Sequence, residues 1–162
     1  MKHILLFAAL FCLTTLGCRK ADTITPPDTE NYMYAFKDNK KWIAESPTAS
    51  YSPSNNYLFI GGGDGTVMGW LSINLVVPES PTTLQQFDAG ITKIEMGDII
   101  TDHYSAQASG NNYIKITSID KNAKRITGEF QMTLVRDQHF SNKGESIKFT
   151  KGKFAFSYKT LN

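Results

Sequence analysis

The chain has 162 residues, with 17 Lys and Arg against 15 Asp and Glu and a formal net charge of +2. A balance this close to neutral argues against a nucleic-acid partner, which requires a basic stripe or patch. Both cysteines, Cys12 and Cys18, fall within the first eighteen residues, so everything downstream lacks a disulfide, a thiol nucleophile and a cysteine metal site.

The chain opens with Met1-Lys2-His3, one positive residue ahead of the apolar stretch Ile4 to Leu16. This is the layout of a secretory signal. The run of about 13 residues is short of the ~20 needed to span a bilayer as a helix, and Arg19, Lys20 and Asp22 end it abruptly. Leu16-Gly17-Cys18 resembles the lipobox of bacterial lipoproteins, in which the leader is cut just before the cysteine. Gly17 meets the small-residue requirement, while Thr15 and Leu16 stand where Leu and a small residue are usual. The expectation is a signal peptide over 1–17 and a diacylglyceryl group on Cys18. Because one acyl chain alone binds marginally, two or three are what hold such a protein at a membrane. Removing the leader leaves one domain's length of chain, long enough for a self-sufficient core. Residues 18–31 are polar and carry Pro26-Pro27, and they read as the lipidated cysteine followed by a partly extended tether.

A single β domain is expected over 32–162. Tyr32, Tyr34 and Phe36 alternate with Met33, Ala35 and Lys37, then Asp38-Asn39 turns the chain toward Trp42-Ile43-Ala44, which predicts a hairpin. Residues 46–56 are rich in Ser, Pro and Asn and read as a loop. Tyr57 to Ile60 is a short strand running into Gly61-Gly62-Gly63-Asp64-Gly65, a flexible turn. Val67 to Val77 is a long strand with apolar residues on both faces, Trp70 and Val76 opposite Leu71, Ile73 and Leu75. Residues 84–108 hold no single period and suggest short strands with turns at Asp88-Ala89-Gly90 and Gly97-Asp98. A turn at Ser109-Gly110-Asn111-Asn112 leads into a strand from Tyr113 to Ile119, which Asp120 to Lys124 turns back. Ile126, Gly128, Phe130, Met132 and Leu134 then alternate with polar residues, the cleanest amphipathic strand in the chain. Ile147 and Phe149 are out of phase with Phe154, Phe156 and Tyr158, so a bulge or tight turn is expected at Lys151-Gly152. With no convincing helical period, the predicted fold is all-β: an antiparallel two-sheet sandwich or flattened open barrel of eight to ten strands.

Phe36-x-x-Asn39-Lys40-Lys41-Trp42, Ile116-Thr117-Ser118-Ile119-Asp120, Arg125 to Phe130 and Ile147 to Phe154 together resemble a family of predicted Bacteroidota lipoproteins of unknown function. That family shows F-x-x-N-G-K-x-W, I-T-x-x-D, an I-S-G-T-F-like strand and a final T-x-G-x-F. Here Asn39-Lys40 replaces Asn-Gly and Glu129 stands where Thr is common. The resemblance implies a β domain in the cell envelope and brings no catalytic residues with it. The motif residues read as structural, Gly128 allowing close packing and Trp42 filling the core.

Candidate sites are few. The glycine run lacks the Lys-Ser/Thr and helix of a phosphate loop. Glu95, Asp98, Asp102 and His103, with Asp64 and Asp88, are hard metal ligands whose spacing matches no calcium loop. His103 with Ser105 and His139 with Ser141 share strand parity but lack an evident third member of a triad. Glu79, Glu95, Asp98 and Glu129 are the carboxylates from which a glycan hydrolase could draw a pair. Sugar recognition needs flat aromatic faces beside amides, and Trp70 with Tyr57 and Asn74 is the set that offers both, although Trp70 also suits a core position. Charge is uneven along the chain. Residues 79–114 are acidic, whereas residues 143–162 hold Lys143, Lys148, Lys151, Lys153 and Lys159 against Glu145. These lysines read as solvated strand faces or as a basic face toward an anionic partner. The leading expectation is a non-enzymatic binding module lipid-anchored at the outer membrane, with a glycan or envelope protein as partner and no cofactor. A hydrolase using paired carboxylates and a lipocalin-like carrier of an apolar ligand are the alternatives.

Overall fold

The computed structural model describes residues 23–65, 69–96, 99–107 and 111–161. The expected leader, Cys18 and the start of the tether lie outside the described residues, as do Val67, the Gly97-Asp98 turn and Ser109-Gly110.

Among the described residues the structure is all-β, with twelve strands and no helix. They are β1 (Tyr32–Lys37), β2 (Lys40–Ile43), β3 (Glu45–Ser52), β4 (Tyr57–Gly63), β5 (Gly69–Val76), β6 (Thr82–Leu84), β7 (Asp88–Glu95), β8 (Ile99–Ala106), β9 (Tyr113–Asp120), β10 (Arg125–Arg136), β11 (Ser146–Ser157) and β12 (Lys159–Thr160). They form one large sheet in the order β12-β3-β4-β5-β7-β8-β10-β11-β1-β2, not closed into a barrel. Every pairing is antiparallel except β12 with β3. The fork in the sheet lies on β10. Its last three residues pair with β8, its earlier residues pair with β9, and β11 lines its other edge. Strand β6 pairs with β9 away from the main path.

The hairpin forms as the sequence implies. Asp38 and Asn39 both have positive φ, 49° and 64°, the mirror-image turn whose twist suits a two-residue hairpin. Strand β2 is an outer edge of the sheet. It turns Trp42 inward and leaves Lys40, Lys41 and Ile43 exposed.

One core joins the two regions of the sheet. Strands β4, β5 and β7 contribute Leu58, Ile60, Leu71, Ile73, Leu75 and Ile91. Strands β10 and β11 contribute Phe130, Phe149, Phe154 and Phe156, and all ten side chains are essentially fully buried. Trp42 joins them, its ring edge-on to Phe149 at 5.1 Å between centroids.

The phase change in β11 is a bulge. Phe130 pairs with Gly152 but Met132 pairs with Phe149, so Thr150 and Lys151 together oppose Gln131. Lys151 takes a left-handed φ of 52° to allow it. Around the bulge the two strands exchange glycine for phenylalanine. Gly128 pairs with Phe154, and Phe130 pairs with Gly152. A Cβ on Gly152 would lie 2.6 Å from the Phe130 ring, and one on Gly128 would lie 2.5 Å from Phe154 Cζ and 2.6 Å from the Lys115 carbonyl. Each missing side chain is the space its partner's ring occupies.

Three segments differ from the sequence expectation. Residues 45–52 are strand β3, not loop, because β4 offers a ladder edge that a polar segment satisfies by backbone alone. Ala49 is the one residue of this strand buried in the core. Gly61 to Gly63 continue β4 as buried strand residues opposite Ser72, Leu71 and Trp70. Asp88-Ala89-Gly90 opens β7 where a turn was expected. Gly90 is needed for close approach, since a Cβ there would sit 2.7 Å from the Tyr104 carbonyl.

Gly152→Ala should therefore cost about 1–3 kcal/mol by overpacking, read as a lower urea midpoint. Adding Phe130→Leu should recover part of that loss. Strict additivity of the two changes would show that the ring contact is not the cause.

Candidate functional site

The outward face of β4 and β5 follows from strand parity. Tyr57 pairs with Val76, Phe59 with Asn74, Gly61 with Ser72 and Gly63 with Trp70, so all eight share a face. Neighbouring β7 adds Asp88, Gly90 and Thr92 to it. The structure thus places Tyr57, Asn74 and Trp70 on one face, as a shared site requires, but at different stations along it.

Tyr57 and Asn74 stand at one end, where the connector through β6 folds beside β5. There they line an open groove of about 610 Å³, a size common for ligand sites. Thr83, Gln85, Gln86, Phe87 and Asp88 complete most of its wall. Tyr57 is 39% exposed and Val76 is 48% exposed, so an aromatic face and an aliphatic patch are both open to solvent. The groove therefore combines two aromatic rings with three side-chain amides and a carboxylate.

Trp70 does not line this groove. It lies six residues from Val76, roughly 20 Å at the usual rise of a strand, and is half-buried. Its indole leans over Gly61, where a Cβ would meet Trp70 Nε1 at 2.6 Å and Phe59 Cζ at 3.2 Å. Gly61 thus makes room for two rings to converge, continuing an aromatic ridge from Tyr57 through Phe59 to Trp70. The signal sequence reading missed was the connector: Gln85, Gln86 and Phe87 carry no period, and no pattern in the chain aims them at β5.

Most of the other candidates hold structural partners, whereas Glu95 stands exposed at the end of β7. Buried Asp64 receives the Lys37 ammonium at 3.1 Å. Buried Asp102 receives Arg136 Nε at 2.7 Å, with Lys93 at 3.7 Å on its other oxygen. Lys93 and Arg136 also lie over the Tyr104 ring, 5.6 and 6.0 Å from its centroid. Burial, followed by the charge of Asp102, pushes the Tyr104 phenol up. His103 shares a hydrogen bond with Thr92 at 3.2 Å. Ser141 Oγ accepts the Lys143 amide in an exposed loop where His139 packs edge-on to Phe140. Of the carboxylates considered for glycan cleavage, Glu79 pairs with Lys121 and Glu129 with Lys153, while Asp98 lies outside the described residues. Among the described residues, Asp88 is the one carboxylate lining the groove, whereas glycosidic cleavage by that mechanism needs two. No group of three or more His, Cys, Asp and Glu that could hold a metal occurs among the described residues. No helix among them is long and apolar enough to cross a membrane.

Arg136 also donates to Glu145, and that hydrogen bond holds the Glu145 carboxyl below its ordinary range. A depressed carboxylate stabilises the fold above its unfolded pKa, and this contribution is lost as pH falls through the lowered folded value. An NMR titration should find Glu145 titrating below a free glutamate, and Arg136→Gln should return it toward the usual value. Unchanged titration in that variant would remove the pairing. Asp102→Ala should lower the urea midpoint, because it removes the buried carboxylate that Arg136 Nε and Lys93 share, while Arg136 keeps Glu145.

A family model described as Domain of unknown function (DUF6252) matches residues 29–156, and the chain belongs to that family. No curated protein and no solved structure matches the chain.

Proposed function

From that membership as premise, we propose that this DUF6252 chain is a cell-envelope lipoprotein whose β domain binds a glycan without cleaving it. The lipid anchor is Cys18, and the surface held is the outer membrane of a bacterium of the Bacteroidota. The observation that carries the reading is the open groove in which Tyr57 and Phe87 stand with Asn74, Gln85, Gln86 and Asp88. Sugars present alternating apolar C–H faces and hydroxyl edges. Aromatic rings cover the faces, while amides both donate to and accept from the edges. An apolar ligand carrier fits less well, because the sheet is open and the core is filled by aromatic side chains.

The anchor reading draws on the apolar leader and its cysteine together with the way the chain enters the domain. Asn31 Oδ1 accepts the Ser157 amide, and Glu30 accepts the Ser157 hydroxyl and lies 3.8 Å from Arg125. The tether thus joins the sheet at one defined end.

Calorimetric titration with neutral oligosaccharides of defined linkage tests the groove. At least one should bind, and Tyr57→Ala and Asn74→Ala should each weaken it about tenfold, or 1.4 kcal/mol, with little change in melting temperature. If no oligosaccharide binds, or both variants bind like the parent, the glycan reading fails. The anchor has its own test. Cys18→Ala should release the protein from membrane fractions or leave it unprocessed, and wild-type fractionation of that variant would refute lipidation.

A further inference from the structure

The groove at Tyr57 is one end of a longer feature. Strand parity puts Tyr57, Phe59 and Gly61 at successive stations on the outward face of β4, roughly 7 Å apart. Gly61 brings no side chain, and the Trp70 indole leans into its place from β5, with Nε1 2.6 Å from where a Cβ would stand. Three rings, each open to solvent in part, therefore follow one another along a single strand. Small polar side chains border that row. On β3, Ser52 pairs with Tyr57 and Ser50 with Phe59. On β5, Asn74 pairs with Phe59, and Ser72 stands between Gly61 and Gly90, where its hydroxyl donates to the Gly90 carbonyl at 3.4 Å.

Charge is distributed selectively over the sheet. Neither lysine nor arginine occupies this face at any described station of β3, β4, β5 or β7, and its two carboxylates, Glu45 and Asp88, stand toward opposite ends. Lysines collect instead on the outward face of β1, β2 and β11, where Lys41 pairs with Phe36 and Lys153 with Tyr34. A polyanion would find no cation beside the three rings and would meet a carboxylate near each end. An uncharged sugar chain meets rings along its faces, and hydroxyls and an amide along its edges. A compact ligand would use the groove alone, whereas rings in file fit a ligand that is itself extended. We propose that the glycan is an extended, neutral polysaccharide, bound along β4 by an internal stretch of its chain, with Trp70 as the subsite that selects for length. This deepens the groove reading and rests on it.

The test uses the full chain carrying Cys18→Ser, so that no acyl group is attached. Calorimetric titration follows cello-oligosaccharides and manno-oligosaccharides, both straight and neutral, from disaccharide to hexasaccharide, with oligogalacturonates of the same lengths as charged counterparts. In at least one neutral series affinity should rise about tenfold or more between the shortest and longest members. Trp70→Ala should remove most of that rise, whereas Tyr57→Ala should weaken every length. Indole emission reads the same contact in the chain that keeps both tryptophans. The hexasaccharide should shift it and the disaccharide should not, since the second tryptophan, Trp42, is buried in the core. A neutral series that binds equally at every length, or a rise that Trp70→Ala leaves intact, overturns the extended chain and leaves the groove standing. Preference for the oligogalacturonates overturns the neutral assignment. Failure of every oligosaccharide to bind removes the glycan reading itself, and this inference with it.

Discussion

Two phenyl rings lying over two glycines set the geometry on which the rest of the sheet depends. Strands β10 and β11 are the longest in the chain, and their paired exchange of Gly128 for Phe154 and Phe130 for Gly152 admits one register. A slip of one residue would put each ring against a side chain and carry the apolar set to the solvent face. The bulge at Lys151 resets the phase within the same span, so that Ile147 and Phe149 before it and Phe154 and Phe156 after it all face inward. Because β10 pairs with β8 and β9 as well, its register is passed to both branches of the sheet.

From this frame the outward face of β4 and β5 inherits its alignment. Glycines again decide what the surface looks like. Gly61 lets Trp70 and Phe59 come together, and Gly90 lets β7 close on β8. The groove is the remainder of that face, left where the β6 connector stands beside the end of β5. Its floor comes from regular strand and its wall from irregular chain, the usual division between a scaffold and a binding loop.

What could be read from the sequence followed the physics of period two. β10 was legible because five buried residues alternate without interruption, and the bulge because a phase shift has few other causes. The β1–β2 turn was legible because Asp and Asn tolerate left-handed backbone. β3 was not, since a strand with one inward alanine has no hydrophobic alternation and is specified by its neighbour's free edge. Gly90 misled because glycine marks both turns and close strand approach, and composition does not separate them. The site was half legible. Tyr57 and Asn74 reach one face by pairing across β4 and β5, a relation that strand parity hints at. Trp70 shares that parity but not that station, and the distance between them follows from register, which only the folded sheet supplies. Gln85, Gln86 and Phe87 left no trace in any pattern.

The outer edge at β2 carries a last implication. A free strand edge is a template for joining a second molecule, and short edges bearing lysine oppose that union. β2 is four residues long and holds Lys40 and Lys41 in solvent beside its unpaired backbone. Two copies meeting along this border would align like charges at close range before any ladder could form. This border therefore works against fibril-like growth through that side of the sheet.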